Sequence, residues 1–312
     1  MLLSAYCLNY GNWTVIPREW RAVFEDLRAN GYDAVALSFS EGEMRYGRRM
    51  FAMQVEAAHA CGLKVFVIPS RLGGRFAGAP LMPSIWLAEH PESQLPENPT
   101  LACVEEPAFR EWIDGFIGTL CADYPVDGLV WDEPKYTGLV TRHPATLAAL
   151  GPEPTPQQMR ESFARFVEGL TAAARRARPD LEVTLFNMPS VDPGFTARCA
   201  HIPGIDYLGF DGAFSRQSYF REEPAKIKHY LAERWARTVS ECAAGGKKTF
   251  GLVENMLMPR GVLDEFRAAL TAFLCQARPD HLCCYYYGMN NEEPEAVQQA
   301  VFEIVREHRR SR

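Results

Sequence analysis

Eight short apolar runs recur along the chain. They are "LLSAYCLNY" (residues 2–10), "DAVALSFS" (33–40), "KVFVIPS" (64–70), "DGLVWDE" (127–133), "EVTLFNM" (182–188), "DYLGFDG" (206–212), "TFGLVEN" (249–255) and "HLCCYYYG" (281–288). Near-continuous hydrophobicity is what strands buried on both faces of a parallel sheet require. Between the runs the apolar positions take a helical period. "PREWRAVFEDLRANG" opens on Pro17 and stops at Gly31, the expected asymmetry of helix ends. Residues 50–61, 107–124, 156–178, 224–243, 261–278 and 294–309 repeat the pattern, and "DPGFTARCAHIPG" leaves room for only a short helix. Strand and helix alternate without a break in composition. This predicts a single α/β domain over residues 1–312, a (β/α)₈ TIM barrel with its helices outside. A doubly wound sheet is the alternative, but no G-x-G-x-x-G follows any strand.

Three strand-to-helix connections are long, those after the third, fourth and sixth runs (residues 71–106, 134–155 and 213–223). Long connections tend to be functional, and these leave the strand ends at which barrel enzymes place their chemistry.

Composition narrows the classes. Hydrophobic residues make up 47% and charged residues 23%, the balance of a soluble globular protein. A net charge of −6 argues against a nucleic-acid partner. No apolar run is long enough to span a membrane, and the N-terminus lacks the pattern of a secretory signal. The nine cysteines are scattered without a C-x-x-C pair, so zinc spacing is absent and a reducing, cytoplasmic compartment is expected. The pattern sets no oligomeric state.

The polar residues at the strand ends carry the candidate chemistry. Asn9 and Tyr10 end the first run, Arg71 follows the third, and Asp132, Glu133 and Lys135 close the fourth. Asn187 ends the fifth, Asp211 the sixth, Glu254 and Asn255 the seventh, and Tyr287 and Asn290 follow the eighth. No histidine stands at these ends, which disfavours a mixed His/carboxylate metal site and a Ser–His or Cys–His nucleophile. Carboxyls from different strands suit glycosidic cleavage. One must protonate the leaving oxygen while another attacks or stabilises the oxocarbenium-like carbon. Trp13, Trp86, Trp131 and the late tyrosines offer flat faces for sugar rings, and Asn9, Asn187, Asn255 and Asn290 match hydroxyls. The expected partner is a carbohydrate substrate, with no cofactor.

Two resemblances follow. "VWDEP" and "GLVEN" resemble the strand-four and strand-seven endings of clan A retaining glycosidases. This implies Glu133 as acid/base and Glu254 as nucleophile, with Asp132 where that clan has Asn. The segment 83–135 resembles glycosyl-hydrolase-like barrels with a "WLxxHPE" loop and a "Y-x-V-D-G-I/L-x-x-D-[DE]" strand. Those are similar to α-galactosidase-type barrels, which implies Asp132 as nucleophile and Asp211 as acid. Neighbours on a strand point to opposite faces, so Asp132 and Glu133 share a pocket only if the strand has ended, as Pro134 suggests. The pair Glu133 and Glu254 is preferred, with Asp132 and Asp211 in the same cleft and Tyr10, Arg71, Lys135 and Tyr287 joining the asparagines as substrate-binding candidates. A non-catalytic sugar-binding barrel and a metal-assisted lyase or aldolase holding Mg²⁺ on Asp132, Asp211 and Glu254 are the alternatives.

Overall fold

A computed structural model describes residues 1–8, 15–78, 82–188, 191–215, 224–285 and 291–311; for 224–230 it describes the backbone only. The strands are β1 (Leu2–Cys7), β2 (Ala34–Ser40), β3 (Lys64–Ser70), β4 (Gln94–Leu95), β5 (Asn98–Ala102), β6 (Gly128–Asp132), β7 (Glu182–Asn187), β8 (Tyr207–Ala213), β9 (Lys248–Glu254) and β10 (His281–Tyr285). The helices are α1 (Pro17–Ala29), α2 (Arg48–Ala60), α3 (Ile85–Glu89), α4 (Pro107–Asp123), α5 (Pro144–Leu150), α6 (Pro156–Ala177), α7 (Pro193–Cys199), α8 (Pro224–Gly245), α9 (Leu263–Gln276) and α10 (Pro294–Arg310).

Eight parallel strands close in the order β1-β10-β9-β8-β7-β6-β3-β2, the predicted (β/α)₈ barrel. Each predicted strand and helix has its counterpart, and the predicted short helix is the seven-residue α7. The long connection after β3 carries structure that the apolar pattern does not announce: α3 and the antiparallel hairpin β4–β5. Likewise α5 lies in the connection after β6. No helix among the described residues is long and apolar enough to cross a membrane.

Two apolar layers follow from strand alternation. Tyr6, Ala36, Phe66, Ile68, Val130, Phe186, Tyr207, Phe250, Leu252 and Cys283 fill the barrel interior. Their strand neighbours, such as Leu129, Trp131, Leu185, Phe210 and Val253, pack outward against the helices. The interior is tight: a Cβ on Gly209 would sit 2.1 Å from the Phe250 carbonyl oxygen, so only glycine fits there. Near the N-terminal ends, His281 meets Ser4 Oγ at 2.7 Å, and Phe66, Tyr207 and Phe250 surround its ring. Burial pushes the His281 pKa down to about 3, so the imidazole is neutral. The N-terminal end of the barrel interior is thereby filled by side chains.

Helix starts are set locally. Seven helices begin on Pro, at the position where the missing N–H costs nothing. Before α6 a capping box joins Thr155 and Gln158, with Gln158 N–H donating to Thr155 Oγ1 at 3.2 Å and Thr155 N–H to Gln158 Oε1 at 2.8 Å.

Candidate active site

Strand phase puts three acids on the inner wall. Asp132 follows Val130, Asp211 follows Tyr207 by four, and Glu254 follows Leu252 by two, all in the phase of the interior residues. By the same phase Trp131 faces the helices. It is fully buried, its indole N–H donates to Thr171 Oγ1 at 2.9 Å, and its ring stacks on Phe76. Of the two roles open to Trp131 from the sequence, core residue or sugar platform, the structure gives it the core. Trp86 is also engaged, stacked on His90 and on Trp112.

Glu133 should point outward by alternation. It does not continue the strand. Its φ is 44°, in the left-handed region that a non-glycine residue enters only at a cost. The carboxyl thereby joins the inner group. Burial raises the Asp211 pKa well above the ordinary carboxylate range, and the charges of Glu254, Glu133 and Asp132 add to the rise. Asp211 also meets the Glu133 carboxyl at hydrogen-bonding range, a contact that requires one proton between the two. The four acids expected from the sequence are thus brought together.

Asp132 is the most buried of the four, 3% exposed. Burial and the Glu133 charge push its pKa up to about 7, while the Tyr6 hydroxyl, Lys135 and Arg71 pull the other way. Tyr6 O–H donates to Asp132 Oδ2. The Tyr6 ring lies 4.8 Å from that of Tyr285, whose own pKa burial and the same four acids raise. Gly78 packs so close to this point that a Cβ would sit 3.3 Å from Asp132 Oδ2.

The two cations are also at the rim. Lys135 Nζ donates to Glu133 Oε2 at 2.6 Å. Arg71, the first residue past β3, has a φ of 57°, and its charge acts on Asp132. Asn187 ends β7 in the opposite phase to the inward Phe186 and lies beside the Cys199 thiol of α7. Its amide makes no hydrogen bond among the described residues that meets ordinary geometry. That phase separates Asn187 from the acids, against its expected place in the sugar site. Asn255 is buried behind Glu254, and its carbonyl accepts from Asn291 Nδ2 at 2.8 Å. Asn9, Tyr10, Trp13, Tyr287 and Asn290 lie outside the described residues. Tyr6 was not foreseen as a site residue. β1 is apolar and buried along nearly its whole length, so its sequence did not show which residues face inward.

Four carboxyls, two cations and two phenols at one barrel mouth can hold a proton on one acid while another stays anionic. That division of labour is what acid–base cleavage of an acetal needs.

No protein-family model matches the chain, and no curated protein sequence matches it. Solved structures do match in shape. GH5_18 from Streptomyces cattleya, solved in complex with GlcNAc, superposes with a TM-score of 0.68 at 15% identity over 99% of this chain and 80% of its own. The exo-β-1,4-mannosidase of Opitutaceae bacterium strain TAV5 gives 0.63 at 14% identity over 100% of this chain and 60% of its own. A β-galactosidase from the psychrophilic Marinomonas ef1 gives 0.66 at 10% identity over 98% and 59%. The fold is that of glycoside-hydrolase barrels. The chain spans less than two thirds of the length of the mannosidase and the β-galactosidase.

Proposed function

We propose that this protein is a glycoside hydrolase that cleaves a small oligosaccharide or glycoside with retention of configuration. Glu133 serves as acid/base and Glu254 as nucleophile. One observation carries the reading: a costly left-handed backbone at Glu133, which breaks strand alternation and adds a fourth carboxyl to the wall already holding Asp132, Asp211 and Glu254. Strain of this kind persists where the surroundings over-determine it, and it concentrates at working sites. In the first step Glu254 attacks the anomeric carbon, the glycosidic C–O bond breaks, and the leaving oxygen takes the proton shared by Glu133 and Asp211. In the second, water loses a proton to Glu133 and displaces Glu254, regenerating both carboxyls. Asp211 stores a proton beside the acid, and Lys135 steadies Glu133 when it is anionic. The barrels of similar shape act on or bind sugars of several kinds, so the proposal stops at a pyranoside. The cytoplasm is its proposed compartment.

A panel of nitrophenyl glycosides in both anomers tests the proposal. On the substrate that is cleaved, Glu133→Gln should lower kcat by about 10²–10⁴-fold for a poor leaving group, and far less for a dinitrophenolate that needs no protonation. Glu254→Gln should abolish turnover of both. Equal losses on both leaving groups for Glu133→Gln, or turnover surviving in Glu254→Gln, would refute the assignment.

A second reading is favoured by burial. Burial raises the Asp211 pKa well above the ordinary carboxylate range, as the α-galactosidase-type scheme would want of its acid. It predicts cleavage of α-glycosides, with Asp132→Asn inactive and Glu254→Gln active.

A further inference from the structure

The left-handed turn at Glu133 must be held by something. The segment after β3 folds back along the end of β6 and pins that turn at both sides. Ala77 N–H donates to the Asp132 carbonyl at 2.8 Å, and Lys135 N–H donates to the Arg75 carbonyl at 2.9 Å. Only Glu133 and Pro134 lie between the pinned residues, and proline allows its φ little freedom. On the other side, Glu133 N–H donates to the Phe186 carbonyl at 3.0 Å.

One side chain completes this clamp. Arg75 is 4% exposed. Its Nη1 donates to the Lys135 carbonyl at 3.3 Å, answering the backbone bond that Lys135 gives to Arg75. Its Nε donates to the Ala102 carbonyl of β5 at 2.6 Å, and the guanidinium stands over the Phe163 ring of α6 at 5.5 Å. Among the described residues it forms no ion pair. A buried cation that spends its donors on carbonyls is a poor device for stability, since well-packed apolar replacements of buried charges are often neutral or stabilising. Burial accordingly lowers its pKa to about 10, against the smaller opposing pull of Cys103 and Glu105.

We propose that Arg75 is a positioning residue: it locks the Glu133–Pro134–Lys135 turn to the β5 hairpin and so holds both the Glu133 carboxyl and its Lys135 partner at the mouth. As a statement about catalysis this rests on the role proposed for Glu133. As a statement about geometry it does not. Arg75 touches no reacting atom, so its effect must pass through Glu133.

Arg75→Met keeps much of the stem volume and removes the charge and the fork of donors. Its Tm should stay level or rise. On a glycoside turned over by the wild type, kcat should fall about 100-fold with KM little changed, the scale of a misplaced catalytic group. In a Glu133→Gln background the same substitution should cost nothing further, because both changes disable one group. A crystal structure of Arg75→Met should show Glu133 relaxed to a negative φ, its carboxyl parted from Asp211. A kcat within about threefold of wild type together with an unchanged φ at Glu133 overturns the proposal, and so does a full 100-fold loss persisting in the Glu133→Gln background. If Arg75→Met does not fold, Arg75→Lys, which keeps the cation but not the fork, is measured in its place, and a wild-type rate and φ there overturn it equally. If the wild type cleaves no glycoside at all, the proposed function falls, and the conformation of Glu133 in the variant still decides the role of Arg75.

Discussion

Replacing Asp132 by Asn should make the protein more stable, and by an amount that depends on pH. Asp132 is buried, and its carboxyl titrates at about 7 in the folded state against an ordinary 3.8. A pKa unit corresponds to about 1.4 kcal/mol, so the charged form is disfavoured by about 4 kcal/mol. The sign follows from proton counts. Between pH 4 and pH 7 the folded state holds a proton on Asp132 that the unfolded chain has lost. Stability therefore falls as pH rises, by about 1.4 kcal/mol per pH unit, until the folded pKa is passed. Below about pH 4 both states are protonated and the penalty is gone. Asn copies the neutral acid in shape and keeps an oxygen for the Tyr6 hydroxyl. Asp132→Asn should match the wild type to within about 1 kcal/mol at pH 4 and exceed it by about 3–4 kcal/mol at pH 8. Urea unfolding at pH 4, 5.5 and 8 reads this directly, provided the m value is unchanged. Groups that do not feel the Asp132 charge cancel in the difference between the two proteins, and Asp211, whose pKa that charge raises as a smaller cause than burial, shifts it only in part. Unfolding curves that keep a constant offset across the range would refute the burial argument for Asp132. So would a variant less stable than wild type at pH 8.

The remaining predictions concern the same wall. Tyr6→Phe removes the donor that lowers the Asp132 pKa, so the pH-dependent loss of stability should continue above pH 7 before it levels, as followed by Tm against pH. At position 133, with its φ of 44°, Glu133→Gly should be more stable than Glu133→Ala by about 1 kcal/mol, the reverse of the order at a residue inside a strand; chemical unfolding of the two variants checks it. Gly209→Ala drives a methyl to 2.1 Å from the Phe250 carbonyl oxygen, and neither strand can yield; a loss of about 3 kcal/mol or failure to accumulate as folded protein is expected, read by circular dichroism and thermal melting.

The barrel was legible because parallel strands buried on both sides write themselves as unbroken apolar runs, and because proline and glycine mark the helix ends. The same property hid the finer detail. A strand apolar on both faces does not reveal its phase, so "EVTLFNM" offers no local reason to turn Asn187 away from the site and Phe186 toward it. The inward aim of Glu133 was hidden for another reason. It depends on contacts from Arg75 and Ala77, more than fifty residues earlier, in a connection whose hairpin and short helix carry too few residues for any periodicity to show. Where acids end the strands, though, phase can be recovered after the fact. Counting back by twos from Asp132 reaches Val130, from Asp211 it reaches Gly209 and Tyr207, and from Glu254 it reaches Leu252 and Phe250. Val130, Tyr207, Leu252 and Phe250 all belong to the interior cluster, and Gly209 is packed against an interior strand. The physical reason is that the barrel axis is plugged below by aromatic rings and a neutral His281, so its upper rim is where an inward carboxyl can keep partners and water. An acid at the end of a buried run is therefore a better guide to which residues line the barrel than the run itself, and Asp132, Asp211 and Glu254 agree on one answer.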